Sequence, residues 1–426
     1  MGLNDAPSAE RVHIGFFGRR NAGKSSLVNA VTGQDLSVVS PERGTTTDPV
    51  RKSMEILPLG PVVIIDTPGF DDEGPLGERR VRAARRTLDQ TDVAVLVVDA
   101  TAGMGDCERR LQELFRSHDV PYLVALTKRD LLPRVPADDD ARVYVSGLTG
   151  EGVGALRERV ARLGSAGARE RPLVRDLIAP GDLVVLVIPL DKAAPKGRLI
   201  LPEQMMIRDV LEAGAVSMVV RDSELAAVLG RMPPPARPTL VITDSQAFSQ
   251  VAAIVPADVP LTSFSILMAR RKGLLAGAVR GVAAIDRLRD GDRVLVAEGC
   301  THHRQCGDIG TVKIPAWLRE RTGKRLMVDA TSGHGFPDDL TPYRLVLHCG
   351  GCMLNGRELA RRAAACAAQE VPLTNYGTAI AHMKGILARS LSLFPDLVRL
   401  LEEDGQEPDG PKPGGRGDGT IVRGRP

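Results

Sequence analysis

Aromatic residues are scarce in this chain: one Trp, four Tyr and eight Phe make up 3% of its 426 positions. Few rings are therefore available to stack bases. Charge of one sign is also missing. Lys and Arg number 56 against 53 Asp and Glu, a net charge of +3, too balanced for a dedicated nucleic-acid or membrane-surface protein. Long apolar runs are lacking as well; the longest, LVVLVIPL, falls far short of the ~20 residues a membrane helix needs. The opening stretch MGLNDAPSAERVH has no basic-then-apolar targeting pattern, and Ala6 breaks the myristoylation pattern. A soluble, cytoplasmic protein with no membrane partner is expected. Cysteine is limited to six thiols. In a reducing compartment, thiols close together in sequence bind metal more often than they pair as disulfides.

What is present is an α/β alternation. At this length two or three domains are expected, because single cores rarely grow past about 250–300 residues. VHIGFFG, VVIIDTPG, VAVLVVDA and YLVALTK read as buried parallel strands, separated by helical segments such as GERRVRAARRTLDQ and CERRLQELFRSH. The small, polar segment GSAGARERP reads as a linker at 164–172. A second α/β stretch follows, with DLVVLVIPL, SMVV, TLVIT and LTSFSIL as strands. EQMMIRDVLEAG, DSELAAVLG and SQAFSQVAAIV read as its helices. It carries no phosphate loop or ligand cluster, which suits a structural or association unit. A third region begins near ILMARRKG and sets VLVAEG before Cys300 and YRLVL before His348. The expected division is 1–165, 172–265 and 266–405, with a Gly- and Pro-rich tail over 406–426 expected to be disordered.

The first unit carries the chemistry of phosphate binding. GRRNAGKSS follows a strand and precedes an apolar helical stretch, the context a phosphate loop requires. Gly18 and Gly23 let the backbone wrap a phosphate, Lys24 should reach the β- and γ-phosphates, and Ser25, next to Ser26, should ligate Mg²⁺. Asp66 of DTPG ends a strand where it would sit beside the metal, with the Gly69 amide near a γ-phosphate. TKRD, with Thr127, Lys128 and Asp130, and VSGLTGEG, with Ser146 and Gly147, complete the set. Four landmarks in this order resemble the translation-factor-like GTPases, especially the branch with a GTTxD switch and an Asn in the phosphate loop. The resemblance implies GTP as ligand, Mg²⁺ as cofactor, and Thr46 of GTTTD as the switch threonine on metal and γ-phosphate.

Two positions depart from that pattern. Thr127 stands where most of these GTPases have Asn, while Asp130 keeps the carboxylate that accepts from guanine. Phe70 follows Gly69 where a Ras-like enzyme has a water-orienting Gln, and a phenyl ring cannot orient water by hydrogen bonding. A slow intrinsic rate is expected. By resemblance Asn21 helps hold a K⁺ ion that stands in for an arginine finger; the alternative is a loop-shaping hydrogen bond.

Two cysteine–histidine clusters, each after a strand, mark the third region. GCTHHRQCGD holds Cys300, His302, His303 and Cys306; HCGGC holds His348, Cys349 and Cys352. Gly350 and Gly351 let the chain turn so that both thiolates face one point. Soft thiolates in this number select Zn²⁺ or an iron–sulfur cluster, and spacing does not separate the two. Cys107, Cys366, His13, His118, His334 and His382 stand alone and are assigned no role.

A GTPase unit, an unmarked α/β unit, then Cys-x-His and a distant His-Cys-x-x-Cys together resemble the HydF family of [FeFe]-hydrogenase maturation GTPases. GCTHH, HCGGCM and VPLTNYGTAIAH carry that resemblance. It implies a dimerisation domain in the middle and a [4Fe–4S] cluster on Cys300, Cys349 and Cys352, with His302 or His348 at or near an exchangeable fourth position. It also implies a scaffold that receives a diiron precursor from radical-SAM maturases and delivers it to apo-hydrogenase. Cys306 lies outside the family motif. The rival reading is a GTPase acting on RNA with a zinc-stabilised C-terminal domain, which the neutral charge and scarce aromatics disfavour. A dithiol redox enzyme using HCGGC leaves Cys300 and His302 without a purpose.

Overall fold

Three mostly parallel sheets follow one another along the chain, each built where buried apolar runs alternate with amphipathic helices. The computed structural model describes residues 8–33, 50–70, 84–167, 171–190, 199–233, 236–299 and 308–404. Strands β1 (Val12–Phe17), β2 (Val50–Ile56), β3 (Gly60–Asp66), β4 (Val93–Asp99), β5 (Tyr122–Thr127) and β6 (Arg142–Tyr144) form the first sheet. Their order is β2-β3-β1-β4-β5-β6. β2 runs antiparallel to β3, placing Val50 opposite Asp66 and Arg51 opposite Ile65. The other pairings are parallel, and β3, β1 and β4 are apolar on both faces because helices cover both. Helix Lys24–Thr32 follows β1, and helix Asp106–Ser117 follows β4.

The second sheet, ordered β10-β9-β7-β8, is wholly parallel and consists of β7 (Leu183–Val187), β8 (Val216–Val220), β9 (Leu240–Thr243) and β10 (Leu261–Ser263). LTSFSIL, expected as one strand, is a strand only through Ser263. The Ser263 hydroxyl accepts the Ile266 amide at 3.2 Å and starts helix Phe264–Arg271. An N-cap serine thus overrides the apolar run. The third sheet, also parallel, is ordered β12-β11-β13-β14: β11 is Arg293–Glu298, β12 Met327–Ser332, β13 Leu345–His348 and β14 Leu373–Asn375. One apolar core runs continuously from Val185 and Val241 of the second sheet to Val294 and Leu347 of the third. Among the described residues no helix is long and apolar enough to cross a membrane.

Candidate functional site

Two candidate sites stand at the carboxyl ends of parallel strands, where the chain turns out of β1 and out of β13. The first is the phosphate loop after β1. Gly18 has φ of 154°, and a Cβ there would lie 2.2 Å from the Val97 carbonyl, so only glycine fits against β4. The buried Lys24 donates from Nζ to the carbonyls of Gly18 at 2.9 Å and Arg19 at 2.7 Å. The Ser25 hydroxyl donates to Asp66 Oδ2 at 3.1 Å, which sets a hydroxyl and a carboxylate side by side. Both are hard oxygen donors of the kind Mg²⁺ takes. The Phe70 amide donates to the Gly18 carbonyl at 3.1 Å, while its ring is buried in the core with Phe17 and Leu88. Gly69 packs on the loop, since a Cβ there would lie 2.8 Å from the Arg20 Cα. Asn21 is exposed with φ of 61°. Thr46 lies outside the described residues.

On the base side, the fully buried Thr127 hydroxyl lies 2.6 Å from the Ala22 carbonyl and 3.0 Å from the Val98 carbonyl. Lys128 pairs with Asp99 at 2.5 Å; burial works against the Asp99 charge, but the bonds from Lys128 and Thr101 prevail and hold its carboxyl down at about 2. Asp130 is exposed, and its carboxylate makes no hydrogen bond among the described residues. Ser146 Oγ accepts the amides of Leu148 at 3.2 Å and Thr149 at 3.1 Å, shaping the loop. Gly147 fits against the start of helix Lys24–Thr32, where a Cβ would come 2.8 Å from the Ser26 carbonyl carbon.

The second site is the HCGGC loop after β13. Cys349 Sγ accepts the Gly299 amide at 3.0 Å and the Gly351 amide at 3.4 Å. Backbone amides aimed at sulfur stabilise a thiolate, as in iron–sulfur and zinc sites. Gly351 turns at φ of 65°, where a Cβ would also strike Leu359 at 2.6 Å. Burial raises the Cys349 thiol pKa despite these amides, and burial together with Cys349 pushes Cys352 up to about 11. Two protonated thiols pressed into such a loop are poised to ligate a soft metal, which would neutralise the charge that burial penalises. These two soft donors suit part of a thiolate-held metal group, while among the described residues no three His, Cys, Asp or Glu side chains come together as a metal site. Cys300, His302, His303 and Cys306 lie outside the described residues.

His348 does not join the two thiols. Its ring is buried, Nδ1 donates to the Cys349 carbonyl at 2.8 Å, and Nε2 accepts Arg362 Nη1 at 3.0 Å. Burial and the neighbouring Arg362 push its pKa down to about 4, so the imidazole is neutral and both nitrogens are engaged. Arg362 also bonds the Gly333 carbonyl and, at 2.6 Å, Glu358.

Helix Gly356–Ala368, which begins just past Cys352, docks on the GTPase unit. Asn355 caps it by accepting the Glu358 amide at 2.9 Å and donates from Nδ2 to the Gln90 carbonyl at 2.8 Å. Arg361 reaches the His118 carbonyl at 2.7 Å and Arg357 the Asp119 carbonyl at 2.9 Å, at the C-terminal end of helix Asp106–Ser117. No motif in the sequence marks Arg357, Arg361 or His334 as contact residues. The one local signal was Asn355 three residues before Glu358, the spacing of an N-cap and its third helical position.

Comparison with known proteins separates the three units. Residues 13–128 match the family described as 50S ribosome-binding GTPase, 173–273 the hydrogen maturase F dimerization domain, and 276–393 the hydrogen maturase F tetramerization domain. Association, expected of the middle unit alone, is thus matched by family models in both the second and the third units. The tRNA modification GTPase MnmE of Synechococcus sp. (strain JA-3-3Ab) is 33% identical over 161 residues, 37% of this chain and 34% of that protein. GTPase Der of Wolinella succinogenes is 36% identical over 135 residues, 31% of this chain and 28% of that protein. The chain thus spans about a third of the length of these relatives. Among solved structures, Aquifex aeolicus Era bound to GDP and aluminium fluoride aligns at 20% identity and a TM-score of 0.33, covering 49% of this chain and 92% of Era. The first unit is a P-loop GTPase domain of the TrmE/Era/Der type. With a GTPase domain followed by both maturase-specific domains, the chain belongs to the hydrogen maturase F family.

Proposed function

We propose that this protein is a cytoplasmic GTP-regulated scaffold that receives a diiron precursor from radical-SAM maturases and passes it to apo-[FeFe]-hydrogenase. The observation carrying this reading is the Cys349–Cys352 loop, with amides on sulfur, in a chain of hydrogen maturase F domains. Cys349 and Cys352 would hold a [4Fe–4S] cluster together with Cys300. Such a cluster on three thiolates leaves one iron with an exchangeable position. His348 is assigned to support of the loop rather than to ligation, which leaves the exchangeable position to His302 or an outside ligand. In the GTPase unit, Lys24 would neutralise the transferring phosphoryl group, Ser25, Thr46 and Asp66 would order Mg²⁺, and the Gly69 amide would meet the γ-phosphate. Asp130 and the Gly147 backbone would read guanine. Phe70 is committed to the core and orients no water, so hydrolysis would be slow, with K⁺ near Asn21 supplying charge. Equal turnover in KCl and NaCl would remove the K⁺ assignment.

The deciding experiment is iron, zinc and sulfide analysis of anaerobically purified full-length protein, with the EPR spectrum after reduction. The expected result is about four irons with matching sulfide per chain, lost in Cys349→Ser. One tightly held zinc, with no iron taken up on reconstitution, would overturn the scaffold reading and leave a zinc-stabilised GTPase.

A further inference from the structure

An unbroken chain of hydrogen bonds joins the GTPase sheet to the thiolate loop. Arg51 Nη1 donates to His334 Nε2 at 3.0 Å, and His334 Nδ1 donates to Glu358 Oε2 at 2.9 Å. Glu358 Oε1 accepts Arg362 Nη2 at 2.6 Å, Arg362 Nη1 donates to His348 Nε2 at 3.0 Å, and His348 Nδ1 donates to the Cys349 carbonyl at 2.8 Å. These directions take each imidazole with its proton on Nδ1.

We propose that Arg51 and His334 are positioning residues through which the GTPase domain acts on the Cys349–Cys352 loop, an inference that rests on the reading of that loop as the metal site. The two ends of the chain differ in character. Glu358, Arg362 and His348 are buried, so each broken bond would strand a polar group in a low-dielectric interior, and the three move as one body. Arg51 and His334 are exposed, where water replaces a lost partner at little cost. The contact at the domain boundary is therefore the one that opens.

The position of Arg51 in the GTPase sheet is what gives that opening a cause. β2 begins two residues beyond Asp48 of the GTTTD stretch, and its register sets Arg51 opposite Ile65, next to Asp66. A nucleotide and metal drawing on Asp66 shift the end of β3, and the pairing of Val50 with Asp66 and of Arg51 with Ile65 carries that shift to the guanidinium. Gln90, whose side chain also bonds Arg51, offers its carbonyl to Asn355, so the same patch touches the cap of the helix after Cys352. A cavity of about 300 Å³ between Asp89 and Gln90 on one side and His334, Glu358 and Arg361 on the other leaves room for the two units to shift.

The test uses full-length protein stripped of metal, with iodoacetamide labelling of Cys349 and Cys352 followed by peptide mass spectrometry. Rates are compared in GDP and in a non-hydrolysable GTP analogue. In wild type the two rates should differ by about fivefold, the lower range of typical coupling. Arg51→Ala and His334→Ala should bring the ratio to one while nucleotide affinity stays unchanged, and Arg51→Lys should restore part of it. A wild-type ratio of one, or a wild-type ratio retained in both alanine variants, overturns the proposal. Labelling needs no metal, so its failure is separable from that of the scaffold reading: four irons with a ratio of one discards only the coupling, and zinc with a ratio that collapses in Arg51→Ala discards only the scaffold.

Discussion

The Thr127 hydroxyl is bound to the carbonyl of Ala22, 105 positions earlier in the chain, at 2.6 Å. It ties the TKRD loop directly to the GRRNAGKSS loop. A hydroxyl has one proton, and here it is shared between the carbonyls of Ala22 and Val98. None is left to donate to guanine N7, an acceptor on the base edge. Wild-type protein should therefore bind GTP and 7-deaza-GTP with Kd values within about twofold, whereas Thr127→Asn should prefer GTP by about fivefold, near 1 kcal/mol. A clear wild-type preference for GTP over its 7-deaza analogue in titration calorimetry would contradict this.

Glu108 is a second brace of the phosphate loop. Its buried carboxylate accepts Arg19 Nε at 2.6 Å and the Gly105 amide at 2.8 Å, joining the loop to the N-terminus of helix Asp106–Ser117. Glu108→Ala removes a buried partner of a cation and a helix cap together, and should cost about 2–4 kcal/mol in denaturant unfolding. Glu108→Gln keeps an oxygen for the amide and should lose about half as much. Equal losses in the two variants would show that the charge carries the whole effect, and no loss in Glu108→Gln would show that it contributes nothing.

Asn355 combines a helix cap with a contact between units. Asn355→Ala should lower stability by about 1–2 kcal/mol through the cap alone. It also frees the Gln90 carbonyl, so limited proteolysis between the GTPase unit and the rest should speed up. Asn355→Asp keeps the cap oxygen but sets a carboxylate oxygen against the Gln90 carbonyl and Asp92, so it should recover little of the stability and keep the faster cleavage.

His118 makes the contact sensitive to acid. Burial, then Arg361 and Arg85, push its pKa down to about 4 from an ordinary 6.5. Above 6.5 both folded and unfolded states carry neutral His118 and nothing is lost. Between about 6.5 and 4 the unfolded chain takes up the proton first, and stability falls by about 1–3 kcal/mol. His118→Gln should flatten this part of the stability–pH curve measured by urea unfolding. An unchanged slope would exclude His118 as its source.

Much of the architecture was legible in local pattern. The apolar runs ending in Gly18, Asp66, Asp99 and Thr127 are strands β1, β3, β4 and β5, because a strand covered by helices on both faces must be apolar throughout. β2, with its exposed and half-buried VRKSMEI, has no such run and was not expected; it is an edge strand held by pairing with β3. The phosphate-loop and HCGGC residues were identifiable because the chemistry needs adjacent residues in one turn. His334 and Glu358 were not, since their partners lie on other elements.

The sequence by itself therefore determined the buried strands of the first sheet and the short motifs whose residue types suit phosphate or a soft metal, since both depend on spacing within one segment. Tertiary structure alone decided that His348 faces Arg362, that Thr127 braces Ala22, and that Arg51 meets His334 across 283 positions. Those contacts depend on how separate sheets stack. Burial and hydrogen-bond satisfaction settle that across the whole chain, and no local period encodes it.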